Sequence, residues 1–527
     1  MAKILVTDPI SEEGIKVLKS DKNLEVDVKL KLPPEELKKI IGEYEGLIVR
    51  SETKVTKDII AAADNLKVIG RAGVGVDNVD IEAATKKGIV VMNTPGGNTI
   101  SAAEHTITML LSMSRNIAAA DASMKNKLWE RKKFTGTEVY KKTLAVIGLG
   151  RIGREVAKRA QGLGMEVIGY DPVLSVEKAK NLSITLMSVE ELLPLADYFS
   201  LHIPLTTETK YLLGAKEFEK MKKGVRIINC ARGGVVDEKA LCEAIKSGKV
   251  AGAALDVFEE EPPFNSPVIS LPQILITPHL GASTEEAQLN VAIQIAEQMV
   301  EAFNGKMIRN AVNIPTLEPE VLKKLKPHID LAEKIGKFIS QINDGHIEEV
   351  YVEYSGEITC YDLTPITLSV LIGLLKPMLS ETINLVNAPV IAQERGIKIV
   401  ESKSSEETSL VNLILVKVTT DKRAMKVAGS LISQTEPRLV KIDDFMIDAT
   451  FSKHMLVCFN IDKPGMIGKV GTILGENAIN IAGMRYARTQ NGGHAIAVFN
   501  IDDNIPATVL SKIEQVEGIT KIKLVTL

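Results

Sequence analysis

The sequence predicts an α/β chain: two doubly wound, parallel-sheet domains followed by smaller α+β modules. Three observations predict it. Short apolar runs alternate with helix-period segments over roughly the first 300 residues. After Asn310-Ala-Val-Asn-Ile-Pro315 the texture becomes a mixture of helices and β-rich stretches. Residues 455–527 then read β-α-β-β-α-β, the order of a ferredoxin-like sandwich.

Taken in order, Lys3–Thr7, Leu47–Arg50, Lys67–Arg71 and Ile89–Asn93 are short apolar runs, as strands covered on both faces require. Glu35–Ile41, Lys57–Ala62 and Ile81–Lys87 supply helices between them. A long apolar helix is expected over Ser101–Ile117, then a basic stretch, Lys125–Lys133, holding the single tryptophan, Trp129. A second series begins at Thr143. Its strands are Leu144–Ile147, Glu166–Tyr170, Tyr198–His202, Arg226–Cys230, Val250–Leu255 and Ile274–Thr277, and a helix over Ser283–Asn304 follows. Two doubly wound series imply a cleft between them. Further on, Glu348–Glu353 and Leu410–Val418 are β-rich. The tail elements are Met455–Ile461, Gly465–Glu476, Ile479–Arg488, His494–Ile501, Ala507–Val516 and Ile519–Thr526, with Gln490-Asn-Gly-Gly493 as the hairpin turn.

Composition narrows the function. A net charge of -3 on 527 residues gives no strong field for nucleic acid or a membrane surface, and 4% aromatics offer no base-stacking platform. Cys230, Cys242, Cys360 and Cys458 form no C-x-x-C pair. Neither a metal site nor a disulfide framework is therefore expected, and a reducing compartment is. MAKILVTDPI runs straight into a strand with no secretory signal before it, so the expected location is the cytoplasm.

Leu144-Ala-Val-Ile-Gly-Leu-Gly-Arg-Ile-Gly153 is a G-x-G-x-x-G that follows a strand and opens a helix. Gly148 makes the tight turn, Gly150 admits a pyrophosphate to the backbone, and Gly153 allows close helix packing. The helix start supplies free N–H groups. Glycines alone would also fit a simple turn. The next strand, however, ends in Asp171, whose carboxylate can accept from a ribose diol and would repel a 2′-phosphate. The expected cofactor is NAD.

Three segments end strands of the second series: Ile227-Ile-Asn-Cys-Ala-Arg-Gly-Gly234, Leu255-Asp-Val-Phe-Glu-Glu-Glu-Pro-Pro263 and Ile276-Thr-Pro-His-Leu-Gly281. They place Arg232, Glu261 and His279 where open α/β sheets bind ligands. Oxidising a secondary alcohol by hydride transfer needs a base for the hydroxyl proton, which histidine supplies near neutral pH. A carboxylate orients the imidazolium. A forked cation grips the substrate carboxylate and the developing carbonyl oxygen.

These segments and the glycine motif resemble the D-isomer-specific 2-hydroxyacid dehydrogenase family over roughly 1–310. The resemblance implies that Arg232, Glu261 and His279 are the catalytic set. It implies a Rossmann-like cofactor domain, 98–282, nested in a substrate domain of 1–97 and 283–310. The residues expected around NAD are Gly148, Gly150, Arg151, Ile152, Gly153, Asp171, Cys230, Ala231, Arg232, Asp256, His279 and Gly281.

Leu47-Ile-Val-Arg-Ser51, Gly70-Arg-Ala-Gly-Val-Gly-Val-Asp77, Asn93-Thr-Pro-Gly-Gly-Asn98 and Trp129-Glu-Arg-Lys-Lys133 resemble the phosphoglycerate-oxidising branch of that family. Arg50, Arg71, Arg131 and Lys132 are more cations than one carboxylate needs and suit an added phosphate. Gly73, Val74 and Gly75 offer N–H groups to the carboxylate. Asp462-Lys-Pro-Gly-Met-Ile-Gly468 and Asn477-Ala-Ile-Asn480 resemble an ACT regulatory domain over 455–527, with Asp462, Gly465 and Asn480 as effector contacts. Residues 311–450 correspond to that branch's intervening substrate- or effector-binding domain. The implied reaction is NAD-dependent oxidation of 3-phosphoglycerate to 3-phosphohydroxypyruvate, opening serine synthesis, with L-serine as effector and a homo-oligomer, dimer or tetramer, as the assembly. The alternatives are a glyoxylate or hydroxypyruvate reductase or a D-lactate dehydrogenase of the same fold. A dinucleotide-sensing corepressor is a further alternative, but a sensor has no need of a base.

Overall fold

A computed structural model describes residues 1–306, 308–315, 319–379, 383–404, 412–433 and 435–527. The first sheet holds β1 (Ala2–Val6), β2 (Leu24–Val28), β3 (Gly46–Val49), β4 (Val68–Arg71) and β5 (Val90–Met92). All are parallel, in the order β2-β1-β3-β4-β5. GLIV and VVM are buried at every position because helices cover both faces. The sequence reading missed β2. It is an edge strand with exposed Glu25 and Val28, so it carries no apolar run. The helix Glu12–Ser20, capped by Ser11, was missed as well.

The chain leaves this sheet along a crossover helix, Thr99–Ser114. It stops short of the expected Ile117 because Asn116 turns left-handed, φ 54°, and a second helix, Ile117–Lys125, starts there. The second sheet follows: β6 (Thr143–Ile147), β7 (Glu166–Tyr170), β8 (Thr185–Leu186), β9 (Tyr198–Leu201), β10 (Val225–Asn229), β11 (Val250–Leu255) and β12 (Ile274–Ile276). It is parallel throughout, in the order β12-β11-β10-β9-β6-β7-β8. The order reverses between β6 and β9, which opens a crevice at the carboxyl ends of the strands. The helix Glu285–Phe303 then returns to the first sheet. Thr284 caps it, and Val291, Ile295, Ala296 and Met299 pack with Ile4, Ile48 and Met92. That return nests the second domain inside the first.

The third sheet is mixed: β13 (Ile347–Gly356), β14 (Lys398–Ser404), β15 (Asn412–Thr420), β16 (Ala424–Ile432), β17 (Glu436–Ile442) and β18 (Phe445–Thr450). Only β13 and β14 pair in parallel. Leu410 and Val411 of the expected Leu410–Val418 run lie outside the described residues. Two helices, Pro319–Ile342 and Thr364–Leu375, cross on glycines. A Cβ at Gly336 would lie 2.2 Å from the Val370 carbonyl oxygen, and one at Gly373 2.1 Å from that of Glu333.

The terminal sheet is antiparallel: β19 (His454–Ile461), β20 (Ile481–Arg488), β21 (His494–Ile501) and β22 (Ile519–Thr526), in the order β20-β21-β19-β22. Side chains alternate across a strand, and β19 is apolar on both faces. Leu456 and Cys458 face its own helices, while Met455 and Val457 join the core of the third sheet. Asp344 adds an ionic clamp to Lys521 and Lys523, which together hold its carboxyl well below the usual range.

Candidate active site

His279 and Glu261 meet in the crevice. Nδ1 of His279 lies 2.9 Å from Glu261 Oε2. With that carboxylate as acceptor the proton sits on Nδ1, leaving the Nε2 lone pair free. The Glu261 hydrogen bond raises the imidazole above its ordinary pKa against the opposing effect of burial, with further support from the charge of Asp256. Glu261 is fixed in turn by the Phe258 N–H at 3.2 Å. The arrangement is the one a general base and its orienting carboxylate require.

His279 and Arg71 line two adjoining cavities of about 320 and 300 Å³. Arg50, Gly73 and Glu261 wall the first; Gly75, Asp77, Cys230, Ala231 and Arg232 wall the second. Burial, with Arg232 close by, lowers the Arg71 guanidinium to about 10, and its Nε is buried without a partner. The site is thus strongly cationic. Arg232 Nε pairs with Asp77 at 3.1 Å, a contact between the two nested domains. The glycines make room for these arginines: a Cβ on Gly75 would lie 2.1 Å from Arg232 Nη2. The N–H of Gly73 already bonds to the Arg71 carbonyl, so Val74 and Gly75 are the donors left for a ligand. Arg131 and Lys132 are exposed and line neither cavity.

On the cofactor side, Gly148 takes φ 91°, and a Cβ on Gly153 would lie 1.9 Å from the Gly148 carbonyl oxygen. Nothing lies within 4 Å of a Cβ on Gly150, so that point faces open space, as a pyrophosphate requires. The helix Arg151–Gly162 begins there without a side-chain cap. These features fit a dinucleotide. Asp171 accepts from the N–H groups of Leu149, Val173 and Leu174, so it supports the glycine loop. One of its roughly four acceptor positions remains for a ribose hydroxyl. Asp171→Ala should therefore weaken NAD and narrow the NAD/NADP preference, measured as the ratio of the two kcat/KM values. An unchanged ratio would place cofactor choice elsewhere. Ile152, Cys230, Ala231 and Gly281 line the second cavity, and burial pushes the Cys230 thiol up to about 12. The Arg151 side chain instead borders a larger hollow, about 770 Å³, which contains none of Arg232, Glu261 or His279.

Sequence reasoning missed three residues. His202 lines the second cavity, and burial lowers it to about 4, so it is neutral. The strand-end rule, applied to Tyr198–His202, would have found it. Asp77 and His105 (below) carry no local signal.

In the terminal sheet Asp462 is held by Arg488 Nη1 at 2.9 Å and the Tyr486 hydroxyl at 3.0 Å. Asn480 bonds to Asp502 at 2.7 Å. The register sets these apart: Ile461 pairs with His494, whereas Ile481 pairs with Ile501. Asn480 and Asp462 stand at opposite ends of the strands, roughly 20 Å or more apart at the usual rise. Within one chain the expected trio Asp462, Gly465 and Asn480 does not converge on one small molecule. A ligand shared by Asp462 and Asn480 would therefore have to lie between two copies of the chain.

Three family models match the chain: D-isomer specific 2-hydroxyacid dehydrogenase, NAD binding domain, over residues 107–281; D-3-phosphoglycerate dehydrogenase intervening domain over 324–443; and ACT domain over 454–518. The D-3-phosphoglycerate dehydrogenase of Methanocaldococcus jannaschii is 45% identical over 100% of both chains. Those of Archaeoglobus fulgidus and Bacillus subtilis are 47% identical over 98% of each chain and 43% over 100%. The NAD+-bound 3-phosphoglycerate dehydrogenase of Entamoeba histolytica covers 60% of this chain and 99% of its own, with a TM-score of 0.51 and 32% identity. The Aquifex aeolicus D-lactate dehydrogenase with NAD and lactic acid covers 60% and 100%, at 0.53 and 28%. The chain is an NAD-dependent oxidoreductase by this kinship. It belongs to the D-3-phosphoglycerate dehydrogenases, within the D-isomer specific 2-hydroxyacid dehydrogenase family, and carries their intervening and ACT domains.

Proposed function

We propose that the protein oxidises D-3-phosphoglycerate to 3-phosphohydroxypyruvate, the first step of L-serine synthesis. The observation that carries this reading is the His279–Glu261 pair opening onto cavities walled by Arg50, Arg71 and Arg232. In this reading residues 1–97 and 283–310 bind substrate and 98–282 bind NAD. Residues 311–450 form the intervening domain, and 455–527 regulate. The substrate carboxylate lies on Arg232 and the N–H groups of Val74 and Gly75, and the phosphate on Arg50 and Arg71. NAD supplies the hydride acceptor. His279 Nε2 takes the hydroxyl proton as the carbinol C–H pair departs and the carbonyl forms. Glu261 stabilises the resulting imidazolium, and Arg232 the carbonyl oxygen.

The test is NAD reduction with D-3-phosphoglycerate, D-glycerate, D-lactate and glycolate. Selectivity for the phosphorylated acid supports the reading; preference for an unphosphorylated one would make the chain a reductase or lactate dehydrogenase of the same fold. Arg50→Ala should raise KM for 3-phosphoglycerate roughly tenfold, the loss of one charge-assisted pair. D-glycerate should be affected much less. Equal losses would remove Arg50 from phosphate recognition. Arg131 and Lys132 line neither cavity, so the phosphate contacts are assigned to Arg50 and Arg71.

L-serine is the proposed effector. Antiparallel pairing of two copies through the open edge of β20 would set Asn480 of the partner subunit beside Asp462 and the Gly465 helix start. The assembly is accordingly proposed as a homo-oligomer, and the location as the cytoplasm. Among the described residues no helix is long and apolar enough to cross a membrane. Asp462→Ala should abolish serine binding by calorimetry and leave kcat intact. Absence of serine binding to the unaltered protein would defeat the regulatory reading alone.

A further inference from the structure

We propose that His105 is a positioning residue for His279, acting through the buried carboxylate of Asp256; this rests on the reading of His279 as the base. His279 occupies a strained point of the backbone. Its φ is 55°, in the left-handed region that disfavours a residue with a side chain. The loop therefore has to be gripped on both sides. Asp256, at the end of β11, has no exposed surface and does this. Its Oδ1 accepts the Thr277 hydroxyl at 2.6 Å and the Leu280 N–H at 2.7 Å, and its Oδ2 accepts the Gly281 N–H at 2.8 Å.

A buried carboxylate stays ionised only while donors replace its lost water. Burial raises the Asp256 carboxyl, but His105, Thr277 and the Leu280 N–H outweigh it and hold the group below its ordinary value. His105 is the one ring among those donors. Its Nε2 lies 3.2 Å from Thr277 Oγ1, within hydrogen-bond reach, and 3.1 Å from Asp256 Oδ1, at ion-pair distance. His105 stands on the crossover helix. Four residues earlier, Ser101 donates to the Gly281 carbonyl at 2.9 Å. Residues four apart share a helix face. That single face therefore holds the base loop at Gly281 and, through Asp256, at Thr277 and Leu280. The same helix is the first element after the chain leaves the first sheet, which ties the placement of the base to the junction of the two domains.

Removing the donor takes away the ring that sits against Asp256 and Thr277 and loosens the loop, which then rests on the Thr277, Leu280 and Gly281 bonds alone. A displacement of about 1 Å at a reacting group is enough to cost orders of magnitude in rate. The experiment compares His105→Leu, which keeps bulk without a donor, with His105→Gln, which keeps an N–H donor. His279→Asn serves as the control. Expected for His105→Leu is a fall in kcat of roughly tenfold or more. KM for 3-phosphoglycerate and the Kd for NAD should stay within about threefold, and the thermal midpoint should hold. His105→Gln should recover most of kcat. Two results would overturn the proposal: kcat near the parent value in His105→Leu, or equal losses in Leu and Gln that track falling thermal midpoints. If His279→Asn itself keeps its turnover, the base assignment fails, and that outcome is distinct from a silent His105→Leu.

Discussion

His279→Asn is expected to lower kcat roughly 100- to 10,000-fold, the range for losing a general base, while NAD still binds. Asparagine keeps a similar shape and a polar head but cannot take the substrate proton. The pH dependence follows from the direction of the shift. Oxidation needs neutral His279, and Glu261 raises its pKa, so kcat/KM for 3-phosphoglycerate should fall as pH drops through that raised value. The reverse reaction needs the imidazolium and should fall as pH rises through it. Glu261→Gln removes the carboxylate charge, so the acid limb of the oxidation profile should move to lower pH as kcat declines. A profile that stays in place in Glu261→Gln, or near-parent turnover in His279→Asn, would remove the pair from the mechanism.

Arg232→Ala should lower kcat/KM by roughly 100- to 1,000-fold. A guanidinium fork makes two charge-assisted bonds, each worth about 1.5–3 kcal/mol. With each bond taken at the low end of that range, their joint loss, about 3–4 kcal/mol, converts to that factor. Part of the fall should appear in kcat, because the charge on the carbonyl oxygen strengthens as hydride leaves. Lysine should restore binding better than turnover, since a point charge does not match two oxygens at once. The alanine variant also strips Asp77 of its partner, so Asp77→Asn is the companion measurement: it should leave kcat nearly unchanged. If Arg232→Ala affected only NAD affinity, its role toward the substrate would be wrong.

Several features were legible in the linear chain because each depends on neighbours in sequence. The glycine loop needs only a strand before it and a helix after it. GLIV, VVM and TLAVI declare strands covered on both faces. The terminal unit shows its element order and its Asn-Gly turn directly. Arg232, Glu261 and His279 were visible because each ends a strand of one parallel sheet, and parallel strands deliver their carboxyl ends to the same side. Two edge strands, β2 and β8, were not legible because they lack a continuous apolar run, and most of the third sheet alternates exposed and buried residues.

What only the tertiary structure decided is which side chains meet. Arg50 and Arg71 come from one sheet and Arg232 from another, and no spacing in the sequence says that they line adjoining cavities. Asp77 reaches Arg232 across two domains. Six of the seven strands of the second sheet separate His105 from Asp256 in the chain, yet they lie 3.1 Å apart because the crossover helix packs against β11. Arg131 and Lys132 sit in a basic segment that sequence assigns to the substrate, but the fold carries them to the surface. Asp462 and Asn480 belong to two segments of one small domain and are parted within a chain by strand register, which neither segment contains. The physical reason is the same throughout. Backbone propensity and apolar periodicity are short-range and additive along the chain, whereas a site is set by long-range closure, and its contacts exist only once the sheets, their order and their register are formed.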